Sequence, residues 1–391
     1  MKTYIKKIIR CASCFLAFMI ALSAGLNSCD SSTKPKAEKA KYEVVKESVV
    51  AKGYSGAQGL TSNTKNLGKR LAKNSSVEAK VFCTEPTFDN NYEFIKTPAV
   101  YSFSESTPQK IFEFTSEDLN EFRTWGIYPS SEGDKSDGLS IDAVLSQGDS
   151  IFYITNVSDK LFLINNGAKE VYLQSPELVG TSGLIQGKDG KLYLGQVPKQ
   201  NGSEITNKRI ISIDKDKSIN TEVEIPEVAG EEHGSFYGTI ESGQHLSMAE
   251  SDSGELYLAD LSTNRIYKWI KSSGLEVFLE GADIKHPNSI DISSDGNLFV
   301  LIGPELEALP GETITDHPPK LLSINKGTKE INTLYEFSDK INAYTVYVGN
   351  PILSSTLEEY VSKINYSMSK PIKGEVLELE IAVQDTTSGG E

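Results

Sequence analysis

The sequence predicts an all-β protein built from a repeated unit of four short strands. Each repeat begins at a tight-turn pair such as Asp-Gly or Ser-Gly, which supplies the positive φ that a short hairpin needs. The residues after the turn are apolar, aromatic and apolar, which is typical of a largely buried strand. A second apolar run follows each first one. Four copies of the first strand occur, at residues 149–154, 189–194, 253–258 and 295–300.

The spacing of these copies predicts how the sheets are arranged. Ile151 and Leu192 are 41 residues apart, and Leu256 and Leu298 are 42 apart, which matches the roughly 40–45 residues of a four-stranded propeller blade. Leu192 and Leu256 are 64 apart, so we place an insertion at residues 226–243. Sheets of this kind bury both faces when they stack around an axis. Two weaker copies lie at residues 99–114 and 344–379. We predict a six-bladed β-propeller, with seven blades as the alternative.

The N-terminus has the features of an export signal. Four basic residues precede residues 11–26, which are apolar or small and contain no charge. Sixteen such residues are too few for a transmembrane helix and suit the apolar region of a signal peptide. The run Leu26-Asn-Ser-Cys29 resembles the lipobox of bacterial lipoproteins. That resemblance implies cleavage before Cys29 and lipid on its thiol, with an ordinary secretory signal or an uncleaved anchor as the alternatives.

These observations predict the domain organisation and the location. Residues 1–28 are the signal peptide, 29–80 the lipidated Cys29 with a polar tether, 81–384 the propeller and 385–391 a disordered tail. We expect a monomer in the bacterial cell envelope, attached through Cys29 to membrane lipid, most simply the outer membrane with the domain facing the periplasm. The net charge of −15 argues against a nucleic-acid partner.

Two stretches carry a resemblance to known propellers. Residues 256–266 (LYLADLSTNRI) and 287–296 (PNSIDISSDG) resemble NHL repeats and the six-bladed SMP-30/gluconolactonase-like propellers. The resemblance implies a ligand site at the mouth of the central channel. In enzymes of that family, Glu, Asn and Asp from separate blades hold a divalent ion such as Ca²⁺ there. Asn288 looks like the position of such an Asn.

The remaining members of that metal set do not emerge from the sequence. Asn288 lies ten residues before Leu298, and the same offset gives Leu246, Ser182 and Ile141 in the other repeats. A shift of one or two residues adds Asp142 and His245, and the insertion contributes His233. The candidate channel-mouth residues are therefore Asn288, His245, His233 and Asp142, with Asn288 as the candidate metal ligand.

The functional prediction follows from clear fold signals and missing catalytic ones. We expect a binding or scaffold module for a protein or carbohydrate partner, without a cofactor. The alternative is a metal-dependent lactonase or esterase of the SMP-30 type, with a divalent ion such as Ca²⁺ bound through Asn288. A carboxylate pair beside Asn288 would favour the enzyme, and a plugged apolar channel would favour the scaffold.

Overall fold

The structure is a computed structural model. It describes residues 41–54, 57–62, 80–84, 87–88, 94–97, 99–103, 107–115, 143–147, 150–154, 159–196, 200–201, 204–205, 207–226, 246–293, 295–302, 319–337, 341–347, 352–358 and 374–384. Within these ranges no helix is long and apolar enough to cross a membrane. One compact unit comprises Tyr42–Ala382.

Almost all of the regular structure is β-strand. The first half of the chain contains β1 (Lys41–Tyr54), β2 (Ala57–Ser62), β3 (Lys80–Thr84), β4 (Thr87–Phe88), β5 (Phe94–Lys96), β6 (Ala99–Phe103), β7 (Gln109–Glu113), β8 (Ala143–Gln147), β9 (Ser150–Ile154), β10 (Lys160–Asn165), β11 (Ala168–Gln174), β12 (Thr181–Gln186) and β13 (Leu192–Gln196). A short 3₁₀ helix, Pro176–Leu178, lies between β11 and β12.

The second half continues the same pattern. It contains β14 (Gln200–Asn201), β15 (Glu204–Ile205), β16 (Lys208–Ile213), β17 (Ile219–Ile225), β18 (Leu246–Glu250), β19 (Leu256–Asp260), β20 (Arg265–Ile270), β21 (Gly274–Glu280), β22 (Pro287–Ile292), β23 (Leu298–Ile302), β24 (Lys320–Ile324), β25 (Ile331–Glu336), β26 (Ile341–Tyr347), β27 (Ile352–Glu358) and β28 (Gly374–Gln384). A second 3₁₀ helix, Ala282–Ile284, precedes β22.

These strands form six four-stranded sheets among the described residues. From the inner to the outer strand they are sheet 1 (β2-β3-β6-β7), sheet 2 (β8-β9-β10-β11), sheet 3 (β12-β13-β16-β17), sheet 4 (β18-β19-β20-β21), sheet 5 (β22-β23-β24-β25) and sheet 6 (β26-β27-β28-β1). Two small hairpins, β4-β5 and β14-β15, lie outside them. The first strands of the sheets contact one another in the order β2, β8, β12, β18, β22, β26 and back to β2. The predicted all-β propeller is confirmed, while the blade count for the whole chain stays a prediction.

The folded unit begins well before the predicted boundary at residue 81. Lys41–Tyr54 and Ala57–Ser62 are strands, although the sequence analysis assigned them to the tether. β1 pairs with the C-terminal strand β28 and completes sheet 6, so the two ends of the propeller sequence close the ring together. The sequence of β1 resembles a polar tether because an outer strand has one face in solvent and therefore carries many polar residues. Its pairing partner lies more than 300 positions away in the chain.

The core consists of apolar clusters between consecutive sheets. Second strands such as Leu192–Gln196, Leu256–Asp260 and Leu298–Ile302 are buried along their whole length. Alternate side chains of β19 enter different clusters, since Leu256 and Leu258 face sheet 3 whereas Tyr257 and Ala259 face sheet 5. This arrangement explains why these strands are continuous apolar runs rather than alternating ones.

The two ends of the propeller differ in their connections. We call one the hairpin end, where turns such as residues 187–191, 251–255 and 293–297 join β12 to β13, β18 to β19 and β22 to β23. We call the other the loop end, where β12, β18 and β22 begin. The long connections 226–245, between β17 and β18, and 303–319, between β23 and β24, start and finish at strand termini of the loop end.

A partly buried cluster of charged side chains joins sheets 4 and 5 near the hairpin end. Lys268 Nζ lies 2.9 Å from Glu255 Oε1, and Lys326 and Ser253 donate hydrogen bonds to Glu255 Oε2. Burial opposes ionisation of this carboxyl, but the hydrogen bonds from Lys326, Lys268 and Ser253 outweigh it and lower the pKa of Glu255 to about 2. The link between the two sheets therefore stays charged in all but strongly acidic solution.

Candidate functional site

The loop end is the candidate functional site because it collects the longest and most acidic connections. The acids of residues 227–245 and 303–318, in which neither Lys nor Arg occurs, are Glu227, Glu231, Glu232, Glu241, Glu305, Glu307, Glu312 and Asp316. The described turns of the hairpin end, by contrast, carry as many lysines as acids. Loops mounted on a rigid scaffold are where propellers and similar folds place binding residues.

The structure describes one of the predicted site residues. Asn288 lies at the loop end, near the start of β22, and is half-buried. Cys29, Asp142, His233 and His245 lie outside the described residues, so their roles stay predictions. The strands that Asp142 and His245 directly precede in the chain, β8 and β18, are inner strands that begin at the loop end.

Asn288 is the extra residue of a β-bulge in the inner strand. Pro287 pairs with Ile302 and Ser289 with Leu301, so the ladder register shifts across Asn288. β18 has no such shift, because Leu246 and Ser247 pair with consecutive residues of β19. Bulges bend a strand and redirect a side chain, and they are frequent next to binding sites.

The ladders also correct the alignment used in the sequence analysis. A fixed offset of ten residues matches Asn288 with Leu246 and Ser182. In the structure, Ser182, Ser247 and Ser289 occupy equivalent positions. Each pairs with the residue three positions after the first residue of the second strand in its own sheet. Asn288 therefore has no counterpart in β18, and the offset fails because bulges insert residues in some repeats and not in others.

The equivalent serines join neighbouring inner strands. Ser182 Oγ accepts a hydrogen bond from the backbone N–H of Leu246 at 3.0 Å, and Ser247 Oγ accepts one from Ile290 N–H at 3.1 Å. Each bond links one sheet to the next at the wall of the channel. The two serine hydroxyls thus accept from backbone N–H groups on the channel side of the inner strands, where no neighbouring strand pairs with them.

Gly183 allows sheets 3 and 4 to approach closely at the same level. It is the extra residue of the bulge in β12 and has a φ of +65°. A Cβ atom at this position would lie 2.2 Å from the carbonyl oxygen of Leu246. Both the left-handed conformation and the close backbone contact require glycine here.

A buried ion pair links sheets 3 and 4 at the loop end. Lys208 Nζ lies 3.0 Å from Asp260 Oδ2 and also donates to Ser262 Oγ. The two charged residues are 5% and 1% exposed. Ser262 Oγ donates to Asp260 Oδ1 at 2.9 Å, so both carboxylate oxygens are engaged. The pair holds the loop after β19 against the start of β16.

Two further polar networks position the connections at this end. Gln196, fully buried, donates through Nε2 to the carbonyl oxygens of Glu177 at 2.7 Å and Val179 at 2.6 Å, and accepts from Arg209. Asn264 Oδ1 accepts the backbone N–H of His286 at 2.7 Å. These bonds hold the segments that lead into β12 and β22.

The described residues do not assemble a metal-ligand set. Among them, no group of three or more His, Cys, Asp and Glu side chains is placed to hold an ion. Asp291 lies on the same strand as Asn288 and is fully buried, and its Oδ1 accepts from Ile292 N–H at 2.9 Å. A single carboxylate is not the pair that would favour the enzyme, so a metal site at Asn288 would need ligands from outside the described ranges.

Sequence reasoning missed the residues that connect the sheets. Asp260 lies in the recognisable motif at residues 256–266. Its partner Lys208, however, is 52 residues earlier in the chain. No local pattern links the two residues. Ser182 and Ser247 carry no sequence signal either, because the bulge at Gly183 changes their spacing.

Comparisons with known proteins support the fold. No family model matches the chain, and no curated protein matches it either. Among solved structures, a luciferin-regenerating enzyme has a TM-score of 0.50 at 10% identity, covering 88% of this chain and 95% of that chain. Virginiamycin B lyase from Staphylococcus aureus has a TM-score of 0.45 at 14% identity, covering 87% of this chain and 100% of that chain.

A third neighbour is the calcium-binding protein regucalcin from Agrobacterium tumefaciens, with a TM-score of 0.45 at 12% identity, covering 87% of this chain and 95% of that chain. These neighbours are propellers of the SMP-30/gluconolactonase-like and streptogramin B lyase kinds. At such low identity the likeness shows the fold alone, which hosts unrelated functions.

Proposed function

We propose that the protein is a lipid-anchored binding module of the bacterial cell envelope. Cys29 attaches the chain to membrane lipid, and the loop end of the propeller binds a protein or carbohydrate partner. The observation that carries the proposal is the difference between the two ends. Tight turns join most neighbouring strands at the hairpin end, whereas the loop end gathers long connections such as 226–245 and 303–319 above a channel wall held by Ser182 and Ser247.

The charge of the loop end favours one kind of partner. Two of its connections, 227–245 and 303–318, are acidic and contain neither Lys nor Arg, so they attract cationic surfaces and repel anionic ones. A protein with a basic patch meets this requirement better than a neutral glycan, which would instead rely on polar and aromatic contacts. A protein is therefore the first partner class to test.

Site-specific crosslinking in native membranes tests this function. A photo-crosslinking residue at Asn207, exposed at the loop end directly before β16, is expected to give discrete adducts at about five-fold higher yield than one at Lys215. Lys215 is the matched control, since it is also exposed and lies just beyond the other end of β16. Equal yields at the two positions, or adducts at Lys215 alone, would contradict binding at the loop end.

The second candidate is a metal-dependent hydrolase of the SMP-30 type. It is favoured by the bulge that redirects Asn288 at the loop end of an inner strand. If the residues outside the described ranges supply carboxylates there, an ion bound with Asn288 would polarise a carbonyl or activate water. The described residues themselves would position Asn288 through the β22–β23 ladder.

Calorimetric titration of the chain from residue 30 with Ca²⁺ tests this candidate. The hydrolase predicts micromolar binding that is lost in Asn288→Ala and kept in Asn220→Ala. Asn220 is the control because its amide hydrogen-bonds to Asp214 near the opposite end, at 3.0 Å. Absence of binding at millimolar Ca²⁺ in the unmodified chain would remove the candidate.

A further inference from the structure

The chain enters the propeller at the hairpin end. β22 begins at the loop end, and β26 is the equivalent inner strand of sheet 6. β26, β27 and β28 pair antiparallel in turn, so β28 ends at the hairpin end. β1 pairs with β28 as the fourth strand, and only two residues separate its end at Tyr54 from β2, so β1 ends at the loop end, where the inner strands begin, and itself begins at the hairpin end. The following strand β2 then begins at the loop end as an inner strand should.

Side-chain contacts place the beginning of β1 independently. The Tyr42 hydroxyl donates to Asp295 and accepts from Asn297 Nδ2, and both partners belong to the hairpin turn between β22 and β23. The Tyr42 ring also packs edge-on against Phe299, with the centroids 5.6 Å apart. Burial and the contact with Asp295 raise the pKa of Tyr42, so the hydroxyl stays protonated and continues to donate.

The tether that remains before this point is short. Cys29 and Lys41 are separated by twelve peptide units instead of the 52 between Cys29 and residue 81 that the sequence analysis implied. Such a segment spans at most about 40 Å when fully extended and roughly 20 Å on average as a flexible coil. That average is comparable to the height of the propeller, since a seven-residue strand such as β21 is itself about 20 Å long.

We infer that the hairpin end faces the bilayer and that the loop end is presented away from it. The inference rests on the lipid attachment at Cys29 in the proposed function. Electrostatics act in the same direction, because an anionic membrane surface repels the acidic connections of the loop end more than the balanced turns of the hairpin end. The partner would therefore approach from the aqueous side.

Fluorescence quenching by the membrane tests the orientation. The full-length lipidated protein carries Cys83→Ser and one new cysteine, either Ser272→Cys or Ala282→Cys, which is labelled with a fluorophore. It is placed in liposomes whose lipid headgroups carry a nitroxide quencher. Both residues are exposed, and they flank β21 at the hairpin end and the loop end respectively. We expect the Ser272 label to be quenched at least about two-fold more than the Ala282 label.

The outcomes separate this inference from the proposed function. Equal quenching, or stronger quenching at Ala282, in protein that floats with the liposomes would overturn the orientation while leaving the anchor in place. If the unmodified protein fails to float, as the Cys29→Ser variant should, the anchor and the orientation both fail. Inserting about thirty Gly and Ser residues after Lys36 should reduce the difference between the two labels, because a longer tether frees the propeller to turn.

Discussion

Gly183→Ala is expected to destabilise the protein by about 3 kcal/mol or more. The alanine Cβ would lie 2.2 Å from the Leu246 carbonyl oxygen, so the inner strands of sheets 3 and 4 would have to move apart. That movement would lengthen the hydrogen bond from Leu246 N–H to Ser182 Oγ, now 3.0 Å. The positive φ adds backbone strain for any L-residue. Denaturant unfolding of the purified chain measures the effect.

Gly274→Ala separates the two causes. Gly274 also has a positive φ, +91°, but nothing lies within 4 Å of the position its Cβ would take. This variant should lose only the strain contribution, about 1 kcal/mol. If both variants lose the same stability, the close approach between the inner strands contributes nothing and our interpretation of Gly183 is wrong.

Removing either partner of the Lys208–Asp260 pair is expected to cost about 3–5 kcal/mol. Lys208→Met leaves the Asp260 carboxylate buried without its cation, and Asp260→Leu leaves the Lys208 ammonium buried without its anion. The double variant replaces both charges with apolar side chains. The double variant should recover most of the lost stability, because no uncompensated charge then remains buried. Chemical unfolding of the four proteins forms a double-mutant cycle.

An exposed ion pair provides the control. Lys188 Nζ and Asp252 Oδ1 are 3.0 Å apart and also join sheets 3 and 4, but their side chains are 48% and 72% exposed. Asp252→Asn should change the stability by less than about 1 kcal/mol. A loss at Asp260 no larger than that at Asp252 would show that the buried pair does not hold the two sheets together.

The repeated strands could be predicted because their signals are local. A turn glycine such as Gly190 or Gly296 has a positive φ in the structure and precedes an apolar strand. Because those strands are covered on both faces, every residue from Leu256 to Ala259 had to be apolar or small, and the period of the repeat is visible in the sequence. Only sheets 1 and 6 differ from the predicted boundaries, because their strands β2 and β1 lie before the predicted start of the propeller at residue 81.

The candidate site depended on features that no local pattern records. A bulge adds one residue to an inner strand without changing its composition, so the alignment around Asn288 required the ladder register. The Lys208–Asp260 pair joins residues of different sheets, and β1 joins the opposite end of the chain.

The sequence alone thus determined which segments are strands and that they repeat, because turn chemistry and apolar runs act over a few residues. The tertiary structure decided which end of the propeller carries the loops, where the chain enters it and which polar groups are buried together. Those properties depend on contacts between residues far apart in the chain, which only closure of the ring brings into contact.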